Sequence, residues 1–192
     1  MKKVFFICSL ALASIAANAQ LYVGGSLGLT TSATKNGSVE TTTSSFTLAP
    51  EVGYSLSDKF DVGGVLSLTG SDNNGVSSTS AWSFAPYARY AVAELGKFKL
   101  LGKALISMGG NKVKAGSTLT TDNTTVAVGV LPMVTYSLTD HVLLTTELSF
   151  LRLGFSTTSN GLTDATSASF NFGANSNLFT TGNLLVGFAY IF

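Results

Sequence analysis

From Phe46 the chain alternates. Phe46, Leu48, Pro50, Val52, Tyr54 and Leu56 occupy the even positions, with Thr47, Ala49, Glu51, Gly53 and Ser55 between them. A period of two marks a strand whose two faces meet different surroundings. The pattern resumes after Ser57-Asp58-Lys59 as Phe60, Val62, Gly64, Leu66 and Leu68, and again as Trp82, Phe84, Pro86, Ala88, Tyr90 and Val92. Further runs cover Phe98 to Met108, Val126 to Leu138, Val142 to Phe150 and Leu184 to Phe192, and Leu21, Val23, Leu27 and Leu29 open the series. The reading is eight strands of about ten residues, the length a tilted strand needs to cross a bilayer. Short turns alternate with longer Thr/Ser/Asn/Gly-rich stretches near 31–44, 70–80, 109–124 and 156–182, which read as loops on one side.

Three of the runs share a motif. Pro50-x-Val52-x-Tyr54-x-Leu56-x-Asp58 recurs as Pro86-x-Ala88-x-Tyr90-x-Val92-x-Glu94 and as Pro132-x-Val134-x-Tyr136-x-Leu138-x-Asp140, and it holds all 3 prolines. Each spacing encloses one tight turn and one longer connection, so the repeating unit is a hairpin and the topology an up-and-down meander. Proline cannot donate to a ladder and normally marks an edge or a bulge. Three prolines at one level of alternate strands therefore predict a ring of bulges or unpaired positions.

Composition decides which solvent the apolar faces meet. Charged residues are 11% of the 192, against a usual quarter or so, while hydrophobic residues are 45%. An eight-stranded barrel has an interior barely wide enough for side chains, so the large residues are expected to face outward, toward lipid. Gly, Ala, Ser and Thr are then left for the lumen. Tyr54, Phe60, Tyr90, Phe98, Tyr136, Tyr190 and Phe192 gather beside the short turns, as an interfacial girdle would, with Phe46, Trp82 and Phe150 at the other rim.

Residues 1–19 read as a cleaved secretory signal: Lys2 and Lys3, an apolar run from Val4 to Ile15, and the small-residue site Ala17-Asn18-Ala19. The 1 cysteine, Cys8, would leave with it, which excludes disulfides and thiolate sites from the rest. Loss of two lysines turns the net charge from +1 to −1 (11 − 2 = 9 basic against 10 acidic residues), which offers no footprint for nucleic acid.

The segment SFTLAPEVGYSLSDKFDVGGVL from Ser45 to Leu66 and the closing GFAYIF, taken with the leader, resemble the small outer-membrane β-barrel domain family of Gram-negative bacteria, akin to the OmpA transmembrane domain and OmpX. The likeness covers the whole of 20–192. It implies an all-β, eight-stranded antiparallel transmembrane barrel in contact with outer-membrane lipid. It also implies that Tyr190 and Phe192 in the last strand act as the signal read by the barrel-insertion machinery.

Candidate chemistry is sparse, and the expectation is a non-enzymatic protein without cofactor or metal. His141, the 1 histidine, falls in the turn Thr139-Asp140-His141 on the side of the termini, the wrong end for a Ser-His-Asp site, and reads as a solvated turn residue. Gly24-Gly25-Ser26-x-Gly28 lies within a strand with no helix after it, so it reads as small lumen-facing residues and not as a phosphate loop. Asp72-Asn73-Asn74-Gly75 lacks the remainder of a calcium loop and reads as a plain turn.

Charges are expected in turns and loops, apart from Glu51, Arg89, Lys103, Glu147 and Arg152. The first four share lumen parity at about the same height above the short turns, so they should form an interior charge cluster in which acids neutralise bases. Arg152 breaks the parity and faces lipid unless a bulge or the outer rim relieves it. The role expected is structural or surface-interacting, through loops whose extracellular ligand the sequence does not name. A narrow channel gated by the cluster is the alternative, and an outer-membrane enzyme a weaker one.

Overall fold

A computed structural model of the chain describes residues 20–36, 39–74, 76–148, 151–174 and 184–192. The expected leader, together with Phe150 and Gly182, lies outside these residues. The described chain forms ten antiparallel segments: β1 (Gln20–Asn36), β2 (Val39–Ser57), β3 (Phe60–Asn73), β4 (Ser77–Leu95), β5 (Phe98–Ala115), β6 (Thr118–Ser137), β7 (Val142–Leu148), β8 (Leu151–Asn160), β9 (Thr166–Ala174) and β10 (Leu184–Ile191). Consecutive segments pair from β1 to β6. Both β7 and β8 pair with β6, one below the other, so together they form the seventh barrel strand. Likewise β9 pairs with β8 and β10 with β7, forming the eighth. The pairing of β10 with β1 over Tyr22–Ser26 closes the barrel.

The faces divide as the alternation predicts. Phe46, Val52, Tyr54, Leu66, Trp82, Phe84, Tyr90, Val128 and Phe188 point out and stay exposed, whereas Ala49, Ala85, Arg89, Ala127 and Ala189 point in and are buried. Outward apolar residues with no core behind them suit hydrocarbon as the solvent, because burial there needs no second layer of protein. Not every inward residue is small, however. Tyr22, Tyr87, Leu101, Leu131 and Met133 are buried in the lumen as well, which corrects the expectation of a lumen lined only by small and charged groups. Two glycines make room: a Cβ on Gly53 would collide with the Tyr22 hydroxyl, and one on Gly63 with that of Tyr87.

The prolines have a common structural explanation. Pro50 stands opposite Gly25, Pro86 opposite Gly64 and Pro132 opposite Gly102, each on the preceding strand. On the following strand the ladder is interrupted each time at the proline and the residue before it. It breaks between Leu48 and Glu51, between Phe84 and Tyr87, and between Val130 and Met133. A missing N–H is harmless where no ladder bond is called for. At the third proline the interruption falls between two partner segments: Val130 pairs with Leu153 of β8 and Met133 with Glu147 of β7. Arg152 lies near the start of β8, opposite Gly173 of β9.

The polar stretches expected as loops are mostly strand. β1 and β2 pair up to Asn36 and Val39, β3 and β4 to Asn73 and Ser77, β5 and β6 to Ala115 and Thr118, and β8 and β9 to Ser159 and Thr166. Above the lipid both faces of a hairpin meet water, so apolar alternation stops while backbone pairing goes on. Hydroxyl pairs accompany the ladder, among them Thr125–Thr158 at 2.8 Å and Ser156–Ser169 at 2.8 Å. The turns are tight. Gly116 takes φ 60° in one of them and Asn74 φ 45° in another; Asp72 and Asn73, expected in that turn, are instead paired with Ser78 and Ser77 in the β3–β4 ladder, and Gly75 lies outside the described residues.

The hairpin of β8 and β9 should therefore protect its amides. In hydrogen exchange on the vesicle-embedded protein, Thr157 to Ser159 and Thr166 to Ala168 are expected to exchange at least tenfold more slowly than Leu162 to Asp164 in the turn. Equal, fast exchange across 156–168 would contradict the paired hairpin.

Candidate functional site

The proline repeat sets the level of a charged layer in the lumen. One residue after each proline points inward, giving Glu51, Tyr87 and Met133, and two further on come Gly53, Arg89 and Thr135. Tyr22 arrives on β1, Lys103 on β5 and Glu147 on β7. Arg89 and Lys103, only 3% and 2% exposed, are direct cross-strand partners. Like charges placed so destabilise a sheet unless each is answered.

Each is answered by a different acid. Arg89 Nη2 donates to Glu51 Oε1 at 2.9 Å and to the Tyr87 hydroxyl at 3.1 Å, and Nη1 lies 3.6 Å from the Met133 sulfur. Its Nε faces Asp61 at 3.7 Å. Lys103 Nζ pairs with Glu147 Oε1. The four side chains read as an interior cluster from the sequence thus all point inward and are brought to one level, as two ion pairs and not as one ring. Asp61, expected among the turn charges, lies in β3 opposite Arg89 and adds a third carboxylate.

Tyr87 ties the two pairs together. Its hydroxyl donates to Glu51 Oε1 at 2.5 Å and lies 2.8 Å from the Tyr22 hydroxyl. Its ring carries both cations, with the Arg89 guanidinium carbon 4.8 Å and Lys103 Nζ 4.4 Å from the centroid, and Arg89 also lies 4.8 Å from the Tyr22 ring. Contacts of this kind contribute about 0.5–2 kcal/mol each, more when dry. Tyr22 and Tyr87 are not among the interior residues expected from the sequence, which leaves Gly, Ala, Ser, Thr and a few charges for the lumen. Parity would have found both, since Tyr22 lies between the outward Leu21 and Val23, and Tyr87 between Pro86 and Ala88.

The layer separates two cavities. The lower, about 330 Å³, is lined by Tyr22, Asp61, Arg89, Thr135 and the residues of the short turns. The upper, about 170 Å³, is lined by Glu51, Lys103, Met133, Glu147 and the small residues Gly25 and Ser26 of the glycine-rich run in β1. Glu51 and the Lys103–Glu147 pair therefore face the upper space, and Arg89 with Asp61 the lower one. Thr145 of β7 borders both. No group of three or more His, Asp or Glu side chains among the described residues is placed to hold a metal.

The remaining candidates lie apart from this layer. His141 is in the lower turn, its ring against the last strand, and Tyr190 and Phe192 are exposed on the outer face at the same end. Arg152 is near the start of β8, and its side chain is outside what is described.

The family model for the outer membrane protein beta-barrel domain matches residues 4–192. No curated protein sequence matches the chain. Among solved structures the chain is similar to Neisserial surface protein A, from Neisseria, at 16% identity over 90% of this chain and 92% of that one, with a TM-score of 0.43. It is also similar to the translocator domain of the autotransporter NalP from Neisseria meningitidis, at 12% identity over 97% and 95%, with a TM-score of 0.40. A third similarity is to OmpT, an outer membrane protein of Vibrio cholerae, at 16% identity over 90% of this chain and 54% of that one, with a TM-score of 0.36.

Removing one member of a buried pair leaves the other uncompensated, at a cost of about 3–5 kcal/mol, whereas removing both costs far less. Arg89→Met is accordingly expected to lower the urea unfolding free energy in vesicles by about 3–5 kcal/mol. Adding Glu51→Gln should restore a large part of it. If the double variant is as unstable as the sum of the single ones, the two groups are not coupled.

Proposed function

Because the chain belongs to the outer membrane protein β-barrel domain family, we propose that it serves as a plugged, non-enzymatic barrel in which the lumen is structural and the extended hairpins above the membrane meet partners at the cell surface. The observation that carries this reading is the layer of Glu51, Tyr87, Arg89, Lys103 and Glu147 between the two cavities. Buried charges so fully engaged with one another have little left to offer a passing ion. The hairpin rims, built largely of Ser, Thr and Asn around tight turns, offer a polar surface of ordered backbone instead.

One observation favours a gated channel as the second reading. Thr145 borders both cavities beside Glu147, so a path along β7 would open if the Lys103–Glu147 pair parted. Planar-bilayer recording separates the two. The unaltered protein is expected to show no steady conductance, and Lys103→Ala combined with Glu147→Ala, which leaves no unpaired charge, should join the cavities and conduct. Stepwise conductance in the unaltered protein would instead support the gated channel.

In the same reading residues 1–19 are removed on export, and Tyr190 and Phe192 form the C-terminal pattern read by the barrel-insertion machinery. Phe192 supports this by its position: it is exposed, packs edge-on to Tyr190 at 5.0 Å and donates its backbone N–H to Leu21 O at 2.9 Å. Deleting Phe192 is expected to reduce the heat-modifiable, folded form in cells several-fold, while Leu162→Ala in a surface turn leaves it unchanged. Full yield from the truncated chain would remove Phe192 from the signal.

A further inference from the structure

The last strand is the most thinly fastened part of the closure. Among the described residues β1 pairs with β2 along Gln20–Asn36 but with β10 over Tyr22–Ser26, and the ladder between β10 and β7 ends at Tyr190 opposite Val142. Beyond that point the β7 side is fastened by the turn residue His141, while Ile191 pairs with Tyr22 on the β1 side. The Ile191 N–H donates to the His141 carbonyl at 2.8 Å, and His141 Nδ1 lies 3.1 Å from the Ile191 carbonyl. The His141 ring stacks on Tyr190 at 5.8 Å and 22°, and Tyr190 meets Phe192 edge-on.

We propose that His141 is the clasp of the barrel: a positioning residue that holds the C-terminal end of β10 in register so that it can close onto β1. A carbonyl oxygen only accepts, so the neutral ring must carry its proton on Nδ1, which leaves Nε2 to solvent. A protonated ring keeps the same donor. The clasp therefore needs neither a metal nor a particular charge state. The turn is built to present it: Thr139 Oγ1 accepts from the His141 and Val142 N–H groups at 3.3 and 3.1 Å, and the Leu138 N–H donates to the Val142 carbonyl at 2.9 Å. Once Ile191 is held by His141, the Phe192 N–H falls to Leu21 O on β1, so the one turn carries register from β7 across β10 to the first strand. The reading goes beyond the assembly-signal proposal and does not depend on it, because it concerns the folded barrel.

The test is amide exchange on the full barrel in vesicles, with His141→Ala and His141→Phe. In His141→Ala the Ile191 and Phe192 amides are expected to exchange at least tenfold faster while Leu138, inside the turn, stays as it was. The rate at which the heat-resistant form appears on folding into vesicles should drop several-fold. His141→Phe keeps the stack and loses the donor, so it should recover part of the protection. Unchanged exchange at Ile191 and Phe192 would overturn the clasp. An equal rise at Leu138 would also overturn it, by showing that the substitution merely loosens the turn.

Discussion

Arg89 is buried at the waist of a narrow barrel, directly across the sheet from a second buried cation, Lys103. A pair of like charges in that position is tolerable only if each finds an acid within reach, and much of the interior can be understood from that demand. Glu51 and Asp61 answer Arg89 from β2 and β3, and Glu147 answers Lys103 from β7. Tyr87 offers its ring to both cations and its hydroxyl to Glu51, while Tyr22 adds a second ring. Those two phenols in turn require Gly53 and Gly63, where any side chain would strike them. Residues on strands β1 to β5 and β7 are thus bound by one electrostatic condition.

The prolines belong to the same layer. Each precedes an inward residue of the layer, Glu51, Tyr87 or Met133, and each interrupts the ladder toward the next strand. A strand released from pairing for two residues has local freedom to aim the following side chain. Three side chains of the layer, Glu51, Tyr87 and Met133, are therefore carried directly after an interruption of the ladder.

The barrel itself was legible because lipid imposes a strict code: outward residues such as Phe46, Val52, Trp82 and Phe188 must be apolar, and period two follows. The charges Glu51, Arg89, Lys103 and Glu147 were legible for the complementary reason, since parity assigns a charged residue in a spanning strand to the lumen. What stayed hidden obeys other rules. Tyr22 and Tyr87 share the inward parity, but what admits rings of that size is the space left by Gly53 and Gly63 on neighbouring strands, which pairing and not parity reveals. The hairpins past Ser71 and Asn111 read as loops because water on both faces erases the alternation. Asp61 sits too close to the turn for its strand membership to show, and the register across β10 that recruits His141 joins residues far apart in sequence.

The hairpins that rise past the lipid are held by main-chain ladders and hydroxyl pairs, with few apolar residues committed to packing. Their outward positions, such as Ser78, Ser80 and Thr124, point into water and support nothing beneath them. Fold and surface are consequently written in separate parts of the chain. The lipid band and the charged waist fix the scaffold, while the rim is free to change its chemistry residue by residue without unfolding what carries it. A lineage under pressure to alter what it shows to the outside could redraw this rim rapidly and leave the barrel untouched.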